Sequence, residues 1–222
     1  MVFLFCFGQS QPALAESLTP TLRVKKMTIK LPQPKYSSEV SLEEALLKRR
    51  SVRDYTGEPL TLGEVSQLLW AAQGITSKRG FRTAPSAGAL YPIELYLIVG
   101  DVQDLAVGIY LYQPKTHELI MIAGKDVRKE LASAALGQSS VKNGAIDLVF
   151  TAVYQRTTRK YGERGIKYVH MEIGHAAQNV CLQATVMNLG VVTIGAFNDE
   201  KVSKILKLPK EERPLYIIPV GR

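Results

Sequence analysis

Residues 81–92 read Phe-Arg-Thr-Ala-Pro-Ser-Ala-Gly-Ala-Leu-Tyr-Pro, and the rest of the sequence is arranged around this loop. It follows a helical pattern and precedes a strand pattern, and most of its residues are small, so its backbone is able to approach a flat ligand closely. Pro85 and Pro92 restrict φ at two points, which stiffens the loop, and Ser86 adds a hydroxyl group. A loop of small residues is also typical of a simple turn. The first interpretation requires that the rest of the sequence supply the partners that a flat ligand needs.

The composition indicates a folded, basic protein. The chain has 222 residues, with 28 Lys and Arg against 20 Asp and Glu, which gives a net charge of 28 − 20 = +8. This length gives one large domain or two small ones, with an ample core. A basic excess is compatible with nucleic acid, an anionic membrane or a phosphorylated ligand. The densest basic cluster, 156–168, is interrupted by Glu163 and contains two tyrosines, so we interpret it as facing a ligand rather than a nucleic acid.

The N-terminal residues 1–15 contain no charged side chain and resemble an export signal. The apolar run Val2–Phe7 is followed by Ala13-Leu14-Ala15, a small-x-small pattern that predicts cleavage after Ala15, although no basic residue precedes the run. The run is too short to span a bilayer, so we expect no stable membrane insertion. The protein is exported, or periplasmic, if residues 1–15 are cleaved and cytoplasmic otherwise. Residues 16–40, rich in Pro, Lys and Thr, are interpreted as an extended arm or linker.

The folded domain is predicted to occupy residues 41–222 and to begin with two helices. Capping boxes start these helices at Ser41 and at Thr61. Apolar residues recur along the first helix, so we expect Leu42, Ala45 and Leu46 to be buried. Further strands are predicted over 93–99, 108–113, 119–122, 146–154 and 215–220, and further helices over 126–136, 165–189 (with Gly190 following its end) and 199–206 (capped by Asp199).

The order of these elements predicts the fold class. The runs 108–113 and 119–122 flank a turn and predict a hairpin, whereas 155–164 is a polar connection. Helices and strands alternate without a regular βαβ rhythm, which favours an α+β sandwich with a mainly antiparallel sheet. The glycine-rich fingerprint of a dinucleotide-binding Rossmann domain is absent, and so is a P-loop.

A cluster of cations follows the first helix. Arg49, Arg50, Ser51 and Arg53 supply three guanidinium groups and a hydroxyl within five residues. Guanidinium groups bind phosphate in a bidentate manner, so the cluster is a candidate phosphate site. Cations at the C-terminal end of a helix also offset its dipole, and a solvated helix end is the alternative interpretation.

The cysteines and histidines indicate no metal site. Cys6 and Cys181 do not form a disulfide framework, and Cys181 is interpreted as a small buried residue. His170 and His175 are five residues apart, which rotates them by about 140° around a helix and disfavours a shared metal ion. His117 is expected at the tip of the hairpin.

Four motifs occur in the order that resembles the nitroreductase-like, FMN-dependent flavoproteins. They are Arg49–Arg53, Pro85–Pro92, Gly174–Asn179 and Ile217–Gly221. More narrowly, Ser86–Pro92 and Lys160–Gly165 resemble the SagB/ThcOx-type dehydrogenase, or azoline-oxidase, branch. The resemblance covers about Ser41 to Arg222. It implies a three-layer sandwich in which helices flank a mainly antiparallel sheet, and a homodimer with two FMN sites at the subunit interface.

The resemblance also implies roles for particular residues. The phosphate and ribityl end of FMN is expected to contact Arg49, Arg50, Ser51 and Arg53, with Arg222 reaching back to the phosphate. The isoalloxazine is expected to be lined by Pro85, Ser86, Ala87 and Gly88, from the other subunit. Gly195 and Ala196 are expected near N5 of the flavin.

The implied reaction is a two-electron hydride transfer through N5, and NADH or NADPH is a possible electron donor. Lys160 and Tyr161 stand where the azoline-oxidase branch has a Lys-Tyr pair that assists proton removal, although Lys160 is equally compatible with an ordinary solvated lysine. Ala89 and Tyr91–Ile93 replace the Asn and Gln-Pro-Trp of ordinary nitroreductases, so nitroaromatic reduction is not the expected reaction. The substrate is expected to be a small molecule or a peptide heterocycle.

The sequence is also compatible with two functions other than that of an FMN-dependent enzyme. The first is a flavin-binding module without turnover, which would bind FMN but would not be reduced by a nicotinamide. The second is a basic nucleic-acid-binding protein, whose affinity would fall steeply with salt.

Overall fold

The computed structural model describes residues 27–222, so the predicted export signal at 1–15 and the first part of the predicted arm, 16–26, lie outside the described residues. The strands are β1 (Thr28–Lys30), β2 (Ile93–Val99), β3 (Gly108–Gln113), β4 (Glu118–Ala123), β5 (Ile146–Val153), β6 (Gly190–Val191) and β7 (Glu212–Gly221). The α-helices are α1 (Leu42–Lys48), α2 (Leu62–Gln73), α3 (Arg128–Ala134), α4 (Ser139–Asn143), α5 (Gln155–Tyr161), α6 (Arg164–Val186) and α7 (Asp199–Leu206).

The described strands form one sheet in the order β1-β4-β3-β2-β5-β7-β6, and every pairing in it is antiparallel. The predicted hairpin is β3–β4, and the strongly apolar strand β5 lies between β2 and β7. The successive side chains of a strand point to opposite faces, and β5 is buried on both of them. The antiparallel sheet of the sequence prediction is therefore confirmed.

Two hydrophobic cores lie on the two faces of the sheet. On one face α2 and α6 pack Leu68, Leu69 and Val180 against Leu97 and Phe150. On the other face α3, α4 and α7 cover a second core, whose members include Leu131, Val141, Val202, Val149 and Ile217. Each fully buried leucine or valine contributes roughly 1.5 to 3 kcal/mol relative to an exposed one. Helices on both faces of an antiparallel sheet make the predicted three-layer α+β sandwich.

Helix α2 begins as its sequence predicts. The Thr61 hydroxyl accepts a hydrogen bond from the Glu64 N–H at 3.2 Å, and the Glu64 carboxylate accepts one from the Thr61 N–H at 2.8 Å. These two bonds satisfy N–H groups that have no partner within the helix. The helix ends at Gln73, next to Gly74.

Helix α1 differs from its prediction. Ser41 caps it, accepting from the Glu44 N–H at 3.1 Å, but the Glu44 carboxylate pairs with Lys48 instead of completing a capping box. Ala45 is buried as expected, but the expectation that Leu42 and Leu46 are buried is wrong within one chain, because they are 61% and 53% exposed. This short helix lies at the edge of the fold and packs one side against α6, so its apolar face remains on the surface.

Three further boundaries differ from the sequence predictions. The polar connection predicted over 155–164 contains α5, which the lack of apolar periodicity concealed. Helix α6 ends at Val186 rather than at Leu189, and the left-handed residue that follows is Asn188 (φ 56°) instead of Gly190. The cap of α7 is Asn198 rather than the next residue, and its side chain accepts from a backbone N–H in the first turn at 2.9 Å. Helix α4 was not predicted.

Residues 27–40 are attached to the domain. Strand β1 pairs with β4 at the edge of the sheet, and Leu31 is buried. His117 lies at the hairpin tip, as predicted, and its ring contacts the Ser66 hydroxyl at 2.7 Å and the Tyr112 hydroxyl at 2.8 Å. Burial lowers the pKa of His117, although its contact with the Pro32 carbonyl raises it. Among residues 27–222, no helix is long and apolar enough to cross a membrane.

Candidate active site

The loop between α2 and β2 is held in an unusual backbone conformation. A turn of 3-10 helix, Ala87–Ala89, contains Gly88 at φ 62°, and Ala89 and Tyr91 also have positive φ, at 53° and 47°. A left-handed conformation costs a residue with a side chain about 1 kcal/mol or more. The Ser86 hydroxyl accepts from the Tyr91 N–H at 2.9 Å, and the Ser86 carbonyl accepts from the Ala89 N–H at 3.0 Å. These bonds fix the loop in a shape that leaves its small residues near the surface.

Charged side chains anchor the two ends of this loop. The Arg82 guanidinium lies over the Tyr91 ring, 4.5 Å from its centre, and donates to the Gln73 side-chain oxygen, Oε1, at 2.6 Å. Arg156 of α5 donates to the Tyr91 carbonyl at 3.1 Å and pairs with Glu94 at the start of β2. Burial lowers the pKa of Arg82, because the charged form loses solvation.

Lys160 and Tyr161 lie against the same loop. A β-carbon built on Gly88 would stand 2.8 Å from the Tyr161 hydroxyl oxygen and 3.1 Å from the Lys160 Nζ. The Lys160 Nζ is 5.3 Å from the centre of the Tyr161 ring, which packs edge-on against Tyr168. The last turn of α5 therefore brings the predicted catalytic pair to the predicted ring-binding loop within one chain.

The predicted phosphate site lies in an extended segment, residues 49–56, which follows the C-terminal end of α1. The Val52 N–H donates to the Val191 carbonyl at 2.9 Å, which holds the segment against β6. The Tyr55 ring packs on Gly221, where a β-carbon would approach it to 2.7 Å. The segment therefore crosses the ends of β6 and β7.

The guanidinium groups of this segment have different partners. Arg50 donates to the Leu47 carbonyl at 3.0 Å and to the Arg49 carbonyl at 2.8 Å, and so closes the end of α1. Within residues 27–222, Arg49 and Arg53 form no hydrogen bond or ion pair through their side chains. Ser51 is exposed between them. Cations that lack partners in the folded chain are suited to an anionic ligand.

Arg222 reaches the same edge of the sheet, but its guanidinium is engaged. Its carbonyl accepts from the Thr56 N–H, and its side chain pairs with Glu64 of α2 at 2.5 Å. The phosphate contact of Arg222 stays a prediction, and its partner within the chain is a carboxylate.

The two predicted halves of the site lie near different positions of α6 within one chain. Arg49 approaches α6 at Cys181, whose thiol pKa is raised by burial and lowered by that arginine. The loop between α2 and β2 approaches α6 at Glu172, nine residues before Cys181, which corresponds to about 14 Å along a helix.

Gly195 and Ala196 are exposed, and they directly follow Ile194, which extends the edge of the sheet. Ile194 exchanges backbone hydrogen bonds with Ile217 at 2.8 and 3.0 Å, and the Ala196 carbonyl accepts from the Gln138 side chain at 3.4 Å. The N–H groups of Gly195 and Ala196 have no acceptor among the described residues. They are thus able to donate to a ligand, as the prediction of their role requires.

Glu172 is a residue of this region that the sequence prediction missed. It is 2% exposed, and burial raises its pKa to about 7, although the neighbouring Ser86 hydroxyl and the Arg82 guanidinium lower it. Its Oε1 atom has no hydrogen-bond partner. The signal was present in the sequence, because Glu172 falls on the apolar stripe of α6 between Val169 and Ile173.

The part of the chain that the structure describes contains no group of three His, Cys, Asp or Glu side chains able to hold a metal ion. His170 instead contacts the Tyr154 hydroxyl at 2.6 Å.

The chain belongs to the nitroreductase family, because residues 46–222 match the sequence profile of that family. A candidate nitroreductase of Methanocaldococcus jannaschii is 50% identical over 196 residues, which cover 88% of this chain and 96% of the relative. The crystal structure of a candidate nitroreductase from Anabaena variabilis has a TM-score of 0.79 at 36% identity. That match covers 89% of this chain but only 42% of the other one. The predicted family and its sandwich fold are confirmed, and the protein is an oxidoreductase of this family.

Two more distant relatives bear on the branch and on the cofactor. The microcin B17-processing protein McbC of Escherichia coli is 29% identical over 132 residues, which cover 57% of this chain and 48% of McbC. The FMN reductase (NADPH) of Bacillus subtilis is 26% identical over 191 residues, which cover 80% of this chain and 64% of the relative. The chain thus spans about half of McbC and about two thirds of the reductase.

Proposed function

We propose that the protein is an FMN-dependent oxidoreductase that carries out a two-electron hydride transfer through N5 of the flavin. The observation that carries this proposal is the convergence of Lys160 and Tyr161 on Gly88. A proton-transfer pair beside a rigid loop of small residues is suited to the oxidation of a flat, bound molecule that loses a proton together with a hydride.

The residues present fit FMN at both of its ends. The dianionic phosphate matches Arg49 and Arg53, which lack partners in the described chain. The flat ring matches the loop at Gly88, where the lack of a side chain lets the backbone lie close to the Tyr161 hydroxyl and the Lys160 Nζ. The free N–H groups of Gly195 and Ala196 offer donors to a ring nitrogen. A relative that carries FMN in its name supports the same cofactor.

FMN, when bound, supplies a reversible two-electron acceptor. Under this proposal Arg49, Arg50 and Arg53 bind the phosphate, while Pro85–Gly88 hold the ring face. Lys160, once deprotonated, accepts the proton that the substrate loses, and the Tyr161 hydroxyl positions that proton. The relative McbC is named a microcin B17-processing protein, which supports a peptide heterocycle as the substrate class. We propose NADPH or NADH as the donor when the flavin is reduced in the other direction.

We also propose that the active protein is a homodimer. Leu42, Leu46 and Leu47 expose the apolar face of α1. Beside them, α1, α2 and α6 border a cleft of about 310 Å³ whose lining includes Trp70 and Leu182. An exposed apolar face of this kind is typical of a protein contact. Since one chain separates the arginines from the ring-facing loop, a second copy would complete each site.

The proposed function is tested by the visible absorption spectrum of the purified protein, before and after addition of FMN and then of anaerobic NADPH. We expect flavin bands that bleach on reduction. Bands that persist would indicate a dehydrogenase reduced only by its own substrate, or a binding module. The absence of bands after reconstitution would contradict the proposal.

Substituting Gly88 tests the contact that carries the proposal. In Gly88→Ala the new methyl group would occupy a left-handed residue and approach the Tyr161 hydroxyl to 2.8 Å and the Lys160 Nζ to 3.1 Å, so the ends of these two side chains would have to shift. Gly137→Ala is the matched control, because Gly137 has φ 78° and open space around it. Each variant is expected to lose roughly 1 kcal/mol of stability in thermal unfolding. Only Gly88→Ala should also lose turnover, by about 100-fold, and equal turnover in the two variants would contradict the arrangement.

A further inference from the structure

Glu172 is a buried carboxyl group without a counter-ion. It lies on the inner side of α6, under the loop that carries Pro85–Gly88, and it is 2% exposed. Among the described residues it forms no ion pair, and its Oε1 has no hydrogen-bond partner. A buried carboxylate that is neither paired nor fully hydrogen-bonded is costly, so such a group readily exchanges between its charged and neutral forms.

The neighbours of Glu172 explain why neither the charged nor the neutral form of its carboxyl group is strongly favoured. Arg82 is the nearby cation, but it is directed elsewhere, because it donates to Gln73 and covers the Tyr91 ring. The next charged groups, Arg156 and Glu94, pair with each other. Arg82 therefore attracts the carboxylate without neutralising it.

Ser86 connects Glu172 to the candidate site. Its oxygen accepts from the Tyr91 N–H at 2.9 Å, so its single O–H is available to donate to the Glu172 carboxyl. Ser86 is half-buried between Pro85 and Ala87, two residues of the predicted ring-facing loop. A hydroxyl in this position links the carboxyl to the front of the loop.

We propose that Glu172 is a proton-exchanging residue behind the ring-facing loop, which takes up one proton when negative charge is added in front of the loop. The coupling of this proton uptake to reduction rests on the proposed function, because reduction of the bound flavin adds the negative charge. In this step a carboxylate oxygen forms one O–H bond to a proton that comes from solvent, and reoxidation returns the proton. No electron passes through Glu172; the two electrons come from the nicotinamide or from the substrate.

The direction of the effect follows from the pKa of about 7. Added negative charge disfavours a carboxylate and raises its pKa further. Wild-type protein near pH 8 would therefore take up as much as about one more proton per two-electron reduction than Glu172→Gln. Near pH 5 this difference vanishes, because the carboxyl is already protonated in both redox states.

The first measurement needs no FMN. Infrared spectra of the purified protein, titrated between about pH 5 and pH 9, are compared for wild type, Glu172→Gln and the control Glu163→Gln. Glu163 is exposed, and its substitution by Gln removes the same charge as Glu172→Gln does. We expect a carboxylic-acid carbonyl band that titrates near neutrality in wild type and Glu163→Gln and is absent in Glu172→Gln. Burial also raises the pKa of Asp147 and of Glu212, and the bands of these two carboxyl groups should be the same in all three proteins. An unchanged spectrum in Glu172→Gln would overturn the proposal.

The second measurement tests the coupling in the FMN-loaded protein. A pH-indicator dye records proton uptake during anaerobic reduction, and we expect less uptake in Glu172→Gln than in wild type near pH 8. Ser86→Ala, which removes a donor to the carboxylate, should move the titration of the carbonyl band to higher pH. Equal uptake in wild type and Glu172→Gln would overturn the coupling. If no FMN binds, the proposed function and the coupling both fail, while the infrared titration still decides whether Glu172 exchanges a proton.

Discussion

Arg49→Ala combined with Arg53→Ala is expected to weaken FMN binding by at least about 100-fold. Each guanidinium would lose charge-assisted hydrogen bonds to the phosphate, which are worth roughly 1.5 to 3 kcal/mol. The substitutions should leave the fold intact, because neither side chain has a hydrogen bond or ion pair within the described chain. Titration of the apoprotein with FMN, followed by flavin fluorescence, measures the affinity.

The control for this pair is Lys129→Ala combined with Lys142→Ala. Both lysines are exposed, on α3 and α4, and the double variant lowers the net charge by the same two units. If affinity depends on the local arginines, the control should bind FMN as the wild type does. Equal weakening in both proteins would mean that overall charge, rather than these arginines, attracts the phosphate.

Lys160→Ala is expected to reduce oxidation of a thiazoline-containing peptide by about 100-fold or more, since removal of a general base has effects of this size. Tyr161→Phe should also reduce it, although the ring would still pack on Tyr168. Neither variant should change the affinity for FMN. NADPH-driven reduction of a quinone, which removes no proton from carbon, should be unaffected by either substitution.

Lys167→Ala is the matched control, because Lys167 is an exposed lysine in the first turns of α6. It should leave both reactions unchanged. Peptide oxidation at the wild-type rate in Lys160→Ala would remove this lysine from the mechanism. Equal losses in peptide oxidation and quinone reduction would assign Lys160 to cofactor placement instead of proton transfer.

Local sequence rules predicted much of the fold. The capping pair at Thr61 and Glu64 and the alternation along 93–99 depend on neighbouring residues alone, and both elements occur as expected. The sequence predictions failed where the structure depends on packing between distant parts of the chain. Helix α5 is polar almost throughout, with Thr157 its buried residue, so it is held by packing against α6 rather than by an apolar stripe. Leu42 and Leu46 have the periodicity of buried residues, but no element within residues 27–222 covers them.

Motif order and the periodicity of apolar side chains were enough to predict the family, the antiparallel sandwich and the candidate residues. Which of those residues meet depends on the tertiary structure. It brings Lys160 and Tyr161 to Gly88, although they are separated by more than 70 positions along the chain. It engages Arg222 with Glu64, and it buries Glu172 beneath Ser86. Burial and the distance between charges arise from long-range packing, and they set both the pKa of a carboxyl group and the partners of a cation.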